Sequence, residues 1–315
     1  MWSQALQTVV LGMASIGWPW NSEAQGWFAS GVDGPPGIHP LQIRAGAVFL
    51  ERPSPANLVP FGVEGEETWV DLDLGWAAGP EIRLGYEWPS GWGLGVRYFH
   101  VDGWEGGLSD TAFSGEDQFP ISMSVQMLYT SRLYSTELNL YRRLGERISI
   151  FSGFRWIELH EKANAQIEFD FFGIPEVSLG FGVGLRMSNY LYGYQIGAEG
   201  NLPLFGRLQL EGAIRAGIFG GPSRGSVTVY PLINGIAQPG ESGSGSDHKT
   251  FFVGEIALLG KYHLAEHAIL YGGYQVLWLD GVALASQQTL QEQTTSFRYS
   301  TAFYHGPIVG LEIRW

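Results

Sequence analysis

The sequence predicts an all-β fold, a single antiparallel β-barrel of about ten strands, within a range of eight to twelve. Three observations predict it. Apolar and polar residues alternate with period two along most of 40–315, which puts the two sets on opposite faces of a strand. The connections between these stretches alternate between short and long. Composition fits a chain with lipid on one side: 45 of 315 residues are Gly, 14% are aromatic and only 16% are charged, against about 25% charged in ordinary soluble domains. Such aromatic and apolar bulk excludes a disordered chain.

The chain opens on Ala5–Gly17, an apolar run short enough for the core of a signal peptide and too short to cross a membrane as a helix. Ser22 and Ala24 supply small residues at the two positions a signal peptidase reads, so residues 1–24 are expected to be a signal peptide, although no Lys or Arg precedes the run. Residues 25–39 follow as a periplasmic segment, and 40–315 as the barrel. No other stretch is apolar for the roughly 18 residues that a helical span needs. A closed barrel is the remaining way to satisfy backbone groups in lipid.

Strands are expected at 40–50, 70–88, 91–101, 121–142, 147–160, 187–200, 206–219, 249–263, 267–280 and 299–315. In the second, Ile82, Leu84, Tyr86 and Trp88 alternate with Glu81, Arg83, Gly85 and Glu87. In the seventh, Leu208, Leu210, Ile214, Ala216 and Ile218 oppose Arg207, Gln209, Glu211 and Arg215; at helical spacing those charges would surround the axis. The segment 121–142 is long enough to be one tall strand or to contain a hairpin, and 163–185 and 225–236 are candidates for short strands above the membrane. Short turns are expected near 89–91, 144–146, 203–205 and 265–267, and long loops at 52–68, 102–120, 161–188, 220–248 and 281–298. Tight periplasmic turns opposite long extracellular loops are the pattern of bacterial outer-membrane barrels. A soluble sandwich also alternates, but here Tyr and Trp cluster near the strand ends, where membrane girdles lie.

The last strand ends FYHGPIVGLEIRW, with Val309, Leu311, Ile313 and Trp315 on one parity. This resembles the closing strand that outer-membrane barrels present to their assembly machinery, so these four residues are the candidate assembly signal. Tyr134–Gly145, Phe151–Lys162, Gly272–Ala285 and Asp71–Tyr86 followed by Gly91–Phe99 resemble the planctomycete-type family of outer-membrane β-barrel porins over most of 41–315. That resemblance implies an outer-membrane, porin-like barrel of the cell envelope, and it carries no substrate and no catalytic residues.

Parity assigns Glu81, Glu87, Glu137, Glu199, Glu211, Glu255 and Glu312 to the lumen, together with Arg83, Arg97, Arg155, Arg207, Arg215, Lys261 and Arg314. Acids and bases balance there, so the net charge of −13 falls mainly in loops and turns. Ten strands lie near the eight at which side chains fill the interior. The expected function is therefore passive: narrow-pore permeation of small solutes, or a structural or surface role with a charge-paired lumen. The alternative is an outer-membrane hydrolase of lipase or protease type with a site on the barrel wall or rim; the seven histidines show no nucleophile motif, and no enzyme activity is expected. Cysteine is absent, which removes disulfides, thiolate metal sites and Cys nucleophiles. The acidic runs Asp102, Glu105, Asp110, Glu116, Asp117 and Glu64, Glu66, Glu67, Asp71, Asp73 read as solvated loops rather than Ca²⁺ sites. His263 and His267 straddle a turn instead of sharing a helix face, so no metal or cofactor is expected. The lipid bilayer and the assembly machinery are the expected partners; a nucleic acid is not, because phosphate binding needs a basic surface.

Overall fold

The computed structural model describes residues 40–53, 74–114, 121–171, 178–288 and 297–315. The expected signal peptide and periplasmic segment, and the acidic positions Glu64, Glu66, Glu67, Asp71, Asp73, Glu116 and Asp117, lie outside the described residues. Eleven strands occur in chain order: β1 (Leu41–Glu51), β2 (Trp76–Glu87), β3 (Trp92–Ser114), β4 (Ile121–Leu144), β5 (Ile148–Phe171), β6 (Ser178–Pro203), β7 (Leu208–Ile233), β8 (Ile236–Ala237), β9 (Glu241–His263), β10 (Ala268–Val282) and β11 (Ser300–Arg314). From β1 to β7 and from β9 to β11 each strand pairs antiparallel with the next in the chain, β7 pairs β9 directly, and β1 pairs β11, so ten strands close into a ring. β8 is a two-residue return onto the tip of β7 through Asn234 and Gly235, both at positive φ, as a two-residue hairpin turn requires. At the level where all ten strands pair, closure leaves no strand edge, the condition for crossing lipid. At the seam the Leu41 N–H donates to the Trp315 carbonyl (3.2 Å) and the Trp315 N–H to the Leu41 carbonyl (2.9 Å).

The four tight turns lie at one end, beside both ends of the barrel chain. Gly91, Gly145 and Gly206 take positive φ there. At the other end the strands rise further than the alternation predicts. β3 to β7 and β9 run for 23 to 26 residues, and the segments expected as loops at 102–120, 161–188 and 220–248 mostly continue the ladder. The segment 121–142 belongs to one tall strand, with no hairpin inside it. No helix among the described residues is long and apolar enough to cross a membrane.

The reason the upper halves escape the pattern is visible on β5. Near the turns its outward residues are Ile148, Ile150, Phe154 and Trp156, all exposed, while Arg155 faces inward with no exposure. Beyond His160 the faces exchange character. Lys162 and Asn164 point outward, and Ala163, Ala165 and Ile167 are buried inside. The same inversion runs through β4, where outward Leu138 and Leu140 give way to Arg132 and Gln126 and inward Glu137 gives way to Tyr129 and Met127. A strand in lipid must be apolar outside, whereas the same strand in water must be apolar inside. From Ile148 to Glu158 is eleven residues, the length of a tilted transmembrane strand. The lower half is therefore the membrane span and the upper half stands clear of it.

Candidate functional site: a charge-packed lumen

Inward positions on the spanning halves bring charged side chains from nine strands together. Cross-strand register puts Arg97 opposite Glu137, Glu137 opposite Arg155, and Arg215 opposite Glu255. Arg97 Nε reaches Glu81 at 2.6 Å and its Nη1 reaches Glu255 at 2.5 Å and Glu137 at 3.2 Å. Arg155 Nη1 meets Glu255 at 2.9 Å, and Arg215 meets Glu255 at 3.0 Å and Glu199 at 2.8 Å. Gln195 and Asn139 donate to the remaining Glu137 oxygen at 2.8 and 3.1 Å. Arg83 extends this group by pairing Glu199 at 2.7 Å and donating to the Tyr141 hydroxyl at 3.1 Å.

A second group lies nearer the turns. Arg44 grips Glu211 with two bonds of 2.7 Å and meets Glu312 at 2.6 Å, and Lys261 bridges the same two carboxylates. Arg314 pairs with Glu312 from the outer side. Aromatic rings pack against the cations: Arg97 lies 4.9 Å over Phe99 and Arg215 5.5 Å over Phe151. Glu137, Arg155, Glu255, Lys261 and Glu312 are at most 1% exposed. A water-filled conduit at this level would leave lumen-facing charges wet.

Two positions that parity placed in the lumen lie elsewhere. Arg207 sits in the turn before β7, where alternation does not apply; it is exposed and its Nη1 donates to the Leu264 carbonyl at 3.3 Å. Glu87, at the end of β2, forms a half-exposed pair with Arg143 at 3.0 Å on the turn rim. Parity missed Arg44, because Val48 and Leu50, on the same parity of Leu41–Glu51, are apolar.

Above the charges comes a layer that alternation could not reveal. After β10 the described residues up to 288 turn inward, with Val282 to Ser286 buried and a short 3-10 turn at Ala285–Gln287. It is held from across the barrel. Asn189 on β6 donates to the Ala283 carbonyl (2.8 Å) and accepts from the Ala283 N–H (2.9 Å), while Glu161 on β5 accepts from the Ala285 N–H (2.8 Å). Glu161 also ion-pairs with Arg52 and accepts from the Tyr129 hydroxyl. Arg52 is sandwiched by Tyr129 and Tyr304, and Trp104 donates to the Leu50 carbonyl at 2.9 Å. Leu50, Val101, Trp104, Leu133, Leu159, Leu277 and Leu279 complete this apolar lid over the network.

The candidate assembly residues lie along β11 and its end: Val309, Leu311 and Trp315 are exposed on the outer wall, and Ile313 is half-buried. Asp102, Glu105 and Asp110 are positions within β3 and not of a free loop. His263 lies 3.5 Å from Gln209, and His267 Nδ1 lies 3.0 Å from the Arg314 carbonyl. Among the described residues no three His, Cys, Asp or Glu side chains gather as metal ligands would. On the part beyond the lipid, Tyr299 donates to Asp247 at 2.6 Å, which holds that carboxyl below its usual range.

No protein-family model matches the sequence, and no curated protein matches it. Solved structures of similar arrangement include the outer membrane protease OmpT of Escherichia coli, 10% identical with a TM-score of 0.45, covering 91% of this chain and 99% of that one. A major outer membrane protein of Thermus thermophilus is 9% identical with a TM-score of 0.34, covering 87% and 99%. The toluene transporter TbuX of Ralstonia pickettii is 9% identical with a TM-score of 0.26, covering 88% and 90%.

Proposed function

We propose that this protein is a structural barrel of the bacterial outer membrane, its lumen closed by a charge network and an inward-folded connection, that carries a tall β-wall above the lipid. It resides in the outer membrane, where closed barrels with short turns on the inner side are found. One observation carries the closed reading: the lumen cations and carboxylates are paired with each other and screened from water. Paired charges of both signs also offer little ion selectivity. The porin-like reading, which the resemblance to planctomycete-type porins favours, needs a wet passage through that same level. Swelling of vesicles loaded with small sugars separates the two. Vesicles carrying the refolded barrel should swell no faster than empty ones; swelling graded by sugar size would establish permeation instead.

A further inference from the structure

On the outer wall, at the level where the faces of β5 exchange character, three side chains are aligned that neither the lumen nor the lid uses. His160 and Ser188 are direct cross-strand partners on β5 and β6. His160 Nδ1 lies 3.0 Å from Ser188 Oγ, and its Nε2 lies 2.9 Å from Glu158 Oε2. Glu158 stands two residues from His160 on the same outward face. The imidazole is about a quarter exposed and is bracketed by Tyr134 and Tyr190, with ring centroids at 6.1 and 5.6 Å. Nucleophile, base and orienting carboxylate in hydrogen-bond series are the geometry of acyl transfer by serine. Here the serine meets Nδ1 and the carboxylate Nε2, and either ring nitrogen can take the proton.

The surroundings specify the substrate. Just below lie Phe154, Trp156, Tyr192 and Tyr194, exposed on the lipid-facing band. One row above, Lys162 and Arg186 face each other directly across the strands, with Arg132 beside His160 and Arg224 beside Ser188. Like charges directly opposed destabilise a sheet unless an anion lies between them. Lys162, Arg186 and Arg132 make no ion pair among the described residues, in a chain with only 18 Lys and Arg. The arrangement thus presents an apolar wall for acyl chains, a serine at the depth of the ester groups and cations at the depth of phosphates.

We infer that Ser188, His160 and Glu158 form an outer-wall esterase site that cleaves acyl esters of anionic phospholipids in the leaflet around the barrel. This rests on the spanning half meeting lipid. Ser188 Oγ attacks the ester carbonyl carbon while His160 takes its proton. The tetrahedral intermediate then expels the lysophospholipid alkoxide, which receives that proton, while Lys162 and Arg186 hold the phosphate. Water, deprotonated by His160, releases the fatty acid and restores the serine. Glu158 is a positioning residue that orients the imidazole.

The test uses the refolded full chain in phosphatidylglycerol vesicles and in phosphatidylcholine vesicles. Wild type should release lysophospholipid and fatty acid, faster from phosphatidylglycerol. A fluorophosphonate should label Ser188, located by mass spectrometry. Ser188→Ala and His160→Ala should lose at least 100-fold in rate while still shifting on a gel after heating, and Glu158→Gln should lower kcat with KM unchanged. Lys162→Ala with Arg186→Ala should abolish the preference for phosphatidylglycerol, and Ser226→Ala should change nothing. Should Ser188→Ala fail to fold, labelling of wild type at Ser188 decides. A folded, heat-modifiable barrel that neither hydrolyses these lipids nor accepts the label at Ser188 overturns the site and leaves the barrel reading intact.

Discussion

Glu255 touches Arg97, Arg155 and Arg215 at 2.5 to 3.0 Å and is 1% exposed, so its carboxylate exchanges water for three guanidinium groups. Removing one member of such a set strands the others in a place water cannot reach, which costs about 3–5 kcal/mol. Arg215→Ala and Glu255→Ala should each destabilise the barrel by that order in urea unfolding from lipid vesicles. The double variant should cost clearly less than the sum, because it removes the stranded charge along with its partner. Simple additivity would mean that the pair is hydrated. Parity placed both residues on the inner face, because alternation reads a strand's faces without reference to its neighbours. It could not say which carboxylate meets which guanidinium, since pairing depends on register between strands far apart in sequence. Arg52 and Glu161 show the same limit: each stands among apolar neighbours at the level of the inverted faces, where charge no longer marks the lumen. The outer-wall set Glu158, His160 and Ser188 was likewise invisible, as 28 residues separate His160 from its serine and no short motif joins them.

Among the elements, the inward stretch after β10 is held by polar contacts from β5 and β6. Asn189 supplies two of them and is itself oriented by the Ser223 hydroxyl at 2.8 Å. Asn189→Ala should leave the ring of strands closed yet speed amide hydrogen exchange at Ala283 and Ala285 by about tenfold or more, since those N–H groups lose a fixed acceptor or its support. Unchanged exchange would mean that apolar packing alone holds the segment. On the outer wall, glycines make room for rings. A Cβ at Gly254 would fall within 2 Å of the Trp278 indole, which lies over it. Gly254→Ala must therefore swing Trp278 off the wall, and a shift in tryptophan fluorescence with a loss of about 1–3 kcal/mol in stability is expected. The seam makes a further demand. Trp315 exchanges two backbone hydrogen bonds with Leu41, so its deletion should reduce membrane insertion far more than deletion of Pro239, which lies in no strand and has no backbone N–H to pair. The segment 243–246, whose Gly/Ser composition suggests a tolerant tip, pairs with β7 and is unsuited as that control.

At the scale of the whole molecule, two chemistries share one set of strands. The sequence announced the lower half clearly, because lipid outside and charge inside impose a strict period of two. The upper half obeys the reverse rule, with Gly, Ser and Thr diluting it, so it reads as loop until cross-strand partners are known. The result is a barrel whose spanning level is plugged by ions and whose extension is packed with apolar side chains from within. Extraction should require detergent, and the folded protein should migrate differently before and after boiling; recovery as a detergent-free soluble monomer would refute the membrane span. Planar-bilayer recording of the refolded wild-type protein tests the closed lumen most directly. Insertion should give no resolvable steady conductance, because the passage at Glu255, Arg155 and Lys261 is filled by paired side chains. Large, stable conductance steps would contradict it and make the lumen a wet pore.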